Sequence, residues 1–147
     1  GLKQFADTCR NLGYIFALHD QYRDFYYTSP VFDIEKAVTH IDGSHPYCSI
    51  WDGGEHTFLC ASQALDFVKK TYSELDEHNI DVQGAYLDVF SVMNGDECFH
   101  PDHKVTREES IKHRADCFDY LNEKGLIMSS EEPAMQLLNN LALVRTL

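Results

Sequence analysis

Apolar residues in this chain fall into two alternating spacings, and the alternation predicts a fold. Residues 2–12 place Leu2, Phe5, Ala6, Cys9 and Leu12 on one helical face, with Gly13 as a C-terminal stop. Residues 14–18 read as a buried strand that ends in His19-Asp20. Residues 58–77 return to the helical period, with Leu59, Ala61, Leu65, Val68, Tyr72 and Leu75 in one stripe and Asn79 as a stop. Residues 84–91 are a short apolar run with aromatic and β-branched members, the pattern of a fully buried parallel strand. Asp88 lies near the C-terminal end of that run. Residues 92–104 read as a polar loop. Thr106 and Glu109 then form a capping box, followed by the stripe Ile111, Ala115, Phe118 and Leu121, and Gly125 closes the unit. Residues 126–130 are a third strand, ending in Glu131-Glu132. Pro133 suits the first turn of a last helix, with Met135, Leu138, Leu141 and Ala142 facing inward.

Strands alternating with helices imply right-handed parallel βαβ units and an α/β fold. Each of the three expected strands ends in acidic or imidazole side chains. Doubly wound sheets concentrate chemistry at one switch point, whereas a (β/α)8 barrel uses several strand ends together. A complete barrel takes roughly 250 residues. The pattern therefore predicts a partial (β/α)8 TIM barrel of about three consecutive βα units, with a small free-standing α/β domain as the alternative. A first residue other than Met and helical patterns at both ends agree with a piece of a longer polypeptide.

Residues 21–56 show no long period, and a loop of that length in a compact domain generally has a function. It carries Tyr22, Arg23, Phe25, Tyr26, Tyr27, Tyr47, Trp51 and Asp52, and Gly53-Gly54 makes a flexible end. Aromatic faces beside carboxylates suit sugar rings, which stack through C–H faces while their hydroxyls need acceptors. The alternative is a structural excursion with its own small core. Glycoside hydrolysis usually takes two carboxyl groups flanking the scissile bond. Asp88 and Glu131 end consecutive expected strands, which as neighbours lie about 4.8 Å apart. Their carboxyls can then approach the roughly 5–5.5 Å typical of retaining enzymes.

Formal net charge is −12, from 24 acids and 12 bases, and no basic cluster occurs. Phosphate backbones and anionic membranes need cationic patches, so neither nucleic acid nor membrane is an expected partner. There are five cysteines, an odd number, with no CxxC. Cys9, Cys60 and Cys117 fall on apolar helical faces, which points to reduced thiols and a cytoplasmic rather than secreted setting. Cys98-x-His100-x2-His103 loosely resembles a zinc spacing, but no second half matches it. Metal ligands and organic cofactors are accordingly not expected.

The segments GYIFALHDQYRDFY, HPYCSIWDGG, GAYLDVFS, DECFHPDH and LIMSSEEP together resemble bacterial glycoside hydrolases related to the α-N-acetylgalactosaminidases and endo-α-N-acetylgalactosaminidases. The resemblance covers nearly the whole chain and implies that residues 1–147 are one segment of a retaining catalytic barrel. It implies Asp88 as nucleophile and Glu131 as acid/base, with Glu132 left open as the alternative. His19, Asp20 and Asp52 resemble sugar-contacting positions. Tyr22, Trp51 and Glu132 complete the expected substrate-binding set. The expected partners are a carbohydrate substrate and the remainder of the barrel. A non-catalytic carbohydrate-binding barrel and a zinc-dependent hydrolase are the alternative functions.

Overall fold

In the computed structural model, which describes residues 1–92 and 94–145 and only the backbone of Ser49, twelve elements follow one another. Helix α1 (Leu2–Asn11) leads to strands β1 (Ala17–Gln21) and β2 (Asp24–Tyr26), a 3-10 turn (Ile34–Lys36), and strands β3 (Cys48–Trp51) and β4 (Gly54–Phe58). Helix α2 (Ala61–Glu77), strand β5 (Gly84–Asp88), helix α3 (Arg107–Glu123) and strand β6 (Ile127–Glu131) follow, then a 3-10 segment (Met135–Asn140) and strand β7 (Leu143–Arg145). The main sheet runs β1-β5-β6-β7 with every neighbouring pair parallel. This is an α/β fold in which α2 and α3 cross over between parallel strands, as consecutive units of a (β/α)8 barrel do.

Side-chain alternation sorts the sheet into two faces. Ala85, Leu87 and Met128 are fully buried against Val68, Tyr72 and Leu75 of α2 and Cys117, Phe118 and Leu121 of α3. Residues of the opposite register, Ala17, Tyr86, Asp88, Ile127, Glu131, Leu143 and Arg145, turn away from the helices onto a face that is exposed or half-buried. Thr106 and Glu109 form the expected capping box at the start of α3. All five cysteines are free thiols.

The structure differs from the sequence expectation in four places. The first strand begins at Ala17 and contains His19 and Asp20, whereas Tyr14 and Ile15 are exposed. The Tyr14 amide donates to the Cys9 carbonyl and closes α1, and the Phe16 amide donates to the Gln83 side chain at 2.9 Å. The connector is therefore bonded to α1 at Tyr14 and to Gln83, the residue before β5, at Phe16, whose carbonyl also accepts from the Gln83 amide. Helix α2 starts at Ala61, because Leu59 still bonds Arg23 through its backbone. Residues 21–56 hold most of an antiparallel sheet of order β2-β4-β3. Trp51 pairs with Gly54, which makes Asp52-Gly53 a two-residue hairpin turn. Last, the segment after Pro133 is a 3-10 turn that buries Ala134 and Leu137, while Met135 is 83% exposed and Leu138 also faces out. It leads to a fourth parallel strand, β7, that the sequence pattern did not predict. The expected loop 92–104 forms, and its Met93 lies outside the described residues.

Candidate active site

The C-terminal ends of β1, β5, β6 and β7 put Gln21, Asp88, Glu131 and Arg145 on the face turned away from the helices. Gln21 pairs in register with Asp88, and Glu131 with Arg145. Two side chains of β1 meet the Asp88 carboxylate. Gln21 Nε2 donates to Asp88 Oδ2 at 3.2 Å, and His19 Nε2 lies 3.5 Å from Oδ1. The Gln21 amide is itself fixed, since its Oε1 accepts from the backbone of Arg23 and Asp24 at 2.9 and 3.1 Å. That arrangement sets the plane of the Asp88 carboxylate from a neighbouring strand.

Tyr86 lies two residues before Asp88 on the same face, with its ring edge-on to His19 at 4.9 Å. Its hydroxyl is buried with no hydrogen-bond partner of good geometry and faces the carboxylates of Glu131 and Asp88. Burial and those two charges push its pKa up.

Both carboxylates stand immediately before a residue in the left-handed region. Val89 follows Asp88 at φ 45°, and Glu132 follows Glu131 at φ 42°. For a β-branched valine this conformation is strongly disfavoured and persists only when its surroundings enforce it. The two strand exits brace each other. Ser91, fully buried, donates from Oγ to the Glu131 carbonyl at 2.7 Å, and its own carbonyl accepts from the Ala134 amide at 2.7 Å. Val92 and Pro133 form an antiparallel bridge beside them.

The antiparallel excursion adds further acids and aromatics to this edge. Burial raises the pKa of the Tyr26 hydroxyl, and the nearby charges of Asp24, Asp88 and Asp52 add to it. Gly53 packs on the Tyr26 ring so closely that a methyl group there would come within 2.6 Å of it. Asp24 lies 3.6 Å from His56, and burial pushes its carboxyl above the usual carboxylate range. Beneath it, Asp96 takes a bidentate pair from Arg23 at 2.8 and 3.0 Å and a second pair from the buried Arg114. Gly95 allows this approach, because a side chain there would collide with the Arg107 carbonyl.

Of the residues expected from sequence, His19, Asp88 and Glu131 share the open face. Trp51 and Asp52 sit exposed at the hairpin tip, with Asp52 near Tyr26 and so on the Asp88 side. The fold does not bring Asp20 and Tyr22 to the same place. Alternation turns Asp20 toward α2, where it accepts from the Tyr72 hydroxyl at 2.7 Å and lies 3.5 Å from that of Tyr22. Tyr22 is buried against Phe90. Glu132 is exposed beyond the strand, its amide donating to the Arg145 carbonyl. Tyr26 was named only among the aromatics of the 21–56 loop, and Gln21, Tyr86, Asp24, Ser91 and Arg145 were not singled out as site residues by sequence reasoning. Counting back two residues from Asp88 would have found Tyr86, while Gln21 needs the strand register.

Asp20 also makes a pH prediction. Burial raises its carboxyl above the model-peptide value of 3.8, opposed by the hydrogen bonds from Tyr72 and Tyr22. The folded chain therefore holds more protons than the unfolded chain above that value, and this group's contribution to stability falls as pH rises through the window. Asp20→Asn keeps an acceptor for Tyr72 and removes the charge. Its gain in melting temperature over the parent should be larger at pH 7 than near pH 4, and an equal gain at both would contradict the buried carboxylate.

No protein-family model matches the sequence, and no curated protein sequence does. Solved structures do. The chain is similar to the alpha-N-acetylgalactosaminidase NagBb from Bifidobacterium bifidum in its GalNAc complex, at 42% identity and a TM-score of 0.92. The match covers 97% of this chain and 23% of that one, so the chain spans about a quarter of the length of that relative. The alpha-galactosidase TtGalA from Thermus thermophilus in complex with stachyose matches at 15% identity and a TM-score of 0.69, over 99% of this chain and 31% of that one. The cycloalternan-degrading enzyme from Trueperella pyogenes matches at 13% identity and a TM-score of 0.60, over 90% of this chain and 21% of that one. The two distant matches show the fold alone. The chain resembles glycoside hydrolases of bacteria, and its fold is a partial (β/α)8 barrel.

Proposed function

We propose that this chain is the catalytic segment of a retaining α-glycosidase acting on N-acetylgalactosaminyl or galactosyl linkages. The observation that carries the reading is a pair of carboxylates, Asp88 and Glu131, at the ends of adjacent parallel strands and on one open face. The similarity of nearly the whole chain to an α-N-acetylgalactosaminidase supports it. Adjacent strands lie about 4.8 Å apart, within reach of the roughly 5–5.5 Å that retaining enzymes use.

In this reading an Asp88 oxygen attacks the anomeric carbon as the bond to the leaving oxygen breaks. Glu131 gives that oxygen its proton. Water then attacks the glycosyl-enzyme, Glu131 takes the water's proton, and Asp88 leaves as a carboxylate. Gln21 and His19 hold Asp88 in line. The Tyr86 hydroxyl, between the two acids, donates to the carboxylate that carries more charge at each step. Trp51 offers an exposed indole face for the sugar ring, and Asp52 and Asp24 accept from its hydroxyls. Residues 1–147 serve as one segment, and the rest of the barrel pairs with the free edges of β1 and β7 and covers Ile127 and Leu143 on the inner face.

A panel of aryl α-glycosides given to the full-length polypeptide tests the proposal. Hydrolysis of the N-acetylgalactosaminide or galactoside, with the α-anomer appearing first by NMR, is the expected result. First release of the β-anomer would replace retention with inversion. Binding of these sugars without hydrolysis would favour the non-catalytic carbohydrate-binding alternative.

A further inference from the structure

We propose that Cys60, Cys98 and His103 form a binding site for a zinc-class divalent metal ion, which clamps the loop following β5 to the start of α2. The site is separate from the sugar chemistry above and does not depend on it. It departs from the sequence expectation of no metal ligand. The spacing Cys98-x-His100-x2-His103 had no matching second half, and the fold supplies one as a single cysteine from a distant segment.

The three ligand atoms all lie within 4.8 Å of one another, and both cysteines are fully buried. Cys98 Sγ and His103 Nδ1 are 3.5 Å apart. Across a tetrahedral zinc with Zn–S near 2.3 Å and Zn–N near 2.0–2.1 Å, sulfur and nitrogen stand about 3.5–3.6 Å apart. The pair therefore has the separation that one shared ion requires.

The surroundings are those of ligands already oriented. His103 Nε2 lies 2.7 Å from the Glu35 carbonyl, an acceptor only, so Nε2 carries the proton and the Nδ1 lone pair faces the sulfurs. A ring nitrogen tied to a carbonyl while the other faces the ion is the usual second contact of a metal-binding histidine. His100 stacks flat on His103, with centroids 4.0 Å apart, and fixes its plane. His100 itself turns its nitrogens to the Asp102 amide and the Glu35 carboxylate and stays outside the site. Each sulfur also has a polar neighbour. The Thr39 amide reaches Cys98 Sγ at 3.4 Å, and Ser62 Oγ lies 3.3 Å from Cys60 Sγ. Cys60 occupies the N-cap of α2 without making a side-chain cap; burial pushes its thiol pKa up to about 11, so the proton stays on sulfur until an ion replaces it.

Two thiolates neutralise a divalent ion, which suits a site with both sulfurs buried. Binding releases the two thiol protons to solvent. Three protein ligands leave the fourth tetrahedral position to a solvent molecule. The segments joined are the start of α2 and the tight loop closed by the Cys98–Val105 bridge, whose Phe99 amide is bonded to the Thr39 carbonyl. Two residues before that loop stands Asp96, the anchor of Arg23 and Arg114. The ion would act as a structural clamp for the rim of the candidate active site.

The test is metal content and cobalt substitution on the intact polypeptide, purified under reducing conditions with zinc supplied. One zinc per chain, and thiolate-to-cobalt charge-transfer absorption after exchange, are the expected results. Cys60→Ser and Cys98→Ser should each lose the metal, Cys9→Ser should keep it, and His103→Cys should keep it with stronger charge-transfer absorption. The parent protein alone can overturn the proposal. Failure to retain zinc or cobalt, or a mass two hydrogens below the reduced chain that maps to a Cys60–Cys98 disulfide, would do so. So would metal content that survives both cysteine substitutions.

Discussion

Asp88→Asn in the full-length polypeptide is expected to lower turnover by about 10^4- to 10^6-fold, the range seen when a covalent nucleophile is removed, and to leave the fold intact. The change is nearly isosteric. The asparagine carbonyl oxygen still accepts from Gln21 Nε2, and no side chain on the helix face is touched, because Asp88 points away from the core that holds Ala85 and Leu87. What is lost is an oxygen able to form an ester with the anomeric carbon. A fluorinated sugar that traps the glycosyl-enzyme should label the parent at position 88 and leave the variant unlabelled, as read by peptide mass spectrometry. Asp24 and Asp52 are the competing carboxylates, since both act on Tyr26 together with Asp88. A label on either would move the nucleophile from the parallel sheet to the antiparallel excursion.

The backbone at these positions adds to the argument for their use. Val89 and Glu132 each take a left-handed conformation directly after a carboxylate, and Ser91 ties one strand exit to the other. Backbone strain of this kind costs on the order of 1–3 kcal/mol per residue and survives only where the surroundings enforce it. Two such residues at equivalent places on adjacent strands are better explained by a requirement on the side chains before them than by chance. The buried Tyr86 hydroxyl, which feels the charges of both Glu131 and Asp88, points the same way.

The parallel sheet was legible in the sequence where its strands carry short apolar runs. Residues 85–87 and 126–128 are such runs, and Ala85, Leu87, Leu126 and Met128 from them pack under α2 and α3. The helices were legible from their stripes and the Thr106 capping box. The antiparallel sheet was not. Its strands are three to five residues long and carry Asp24, Glu55, His56 and Thr57, so no apolar period survives. The Asp52-Gly53 pair was the available hairpin signal, obscured by the Gly53-Gly54 doublet. Strand β7 is three exposed residues long and gave no signal. In the site, position along a strand was readable and facing was not. Asp20 and Asp88 both read as acids at a strand end. One residue of register separates them: Gln21, not Asp20, pairs with Asp88, which sends Asp20 to Tyr72 behind the sheet.

Glu131→Ala is expected to separate the two steps of the reaction. Substrates with poor leaving groups should lose turnover by about 10^2- to 10^4-fold, the usual contribution of a positioned general acid. An activated aryl glycoside needs little protonation and should still form the glycosyl-enzyme, which then accumulates because no base activates water. Azide needs no base, so adding it should restore turnover and give a glycosyl azide of retained configuration. The Asp88 variant differs here, since any azide product it forms arises by direct attack and is inverted. Alternation along β6 favours Glu131 over Glu132. Glu131 is the last residue of the strand and shares a face with Ser129, whereas Glu132 lies outside it, exposed, in a left-handed conformation and with its amide held by Arg145. Truncating Glu131 leaves the Ser91 contact in place, because that bond is to the Glu131 carbonyl, so the strand exit should keep its shape. Azide rescue in Glu132→Ala but not in Glu131→Ala would shift the acid/base by one residue. Rescue in neither would place it on a strand outside residues 1–147.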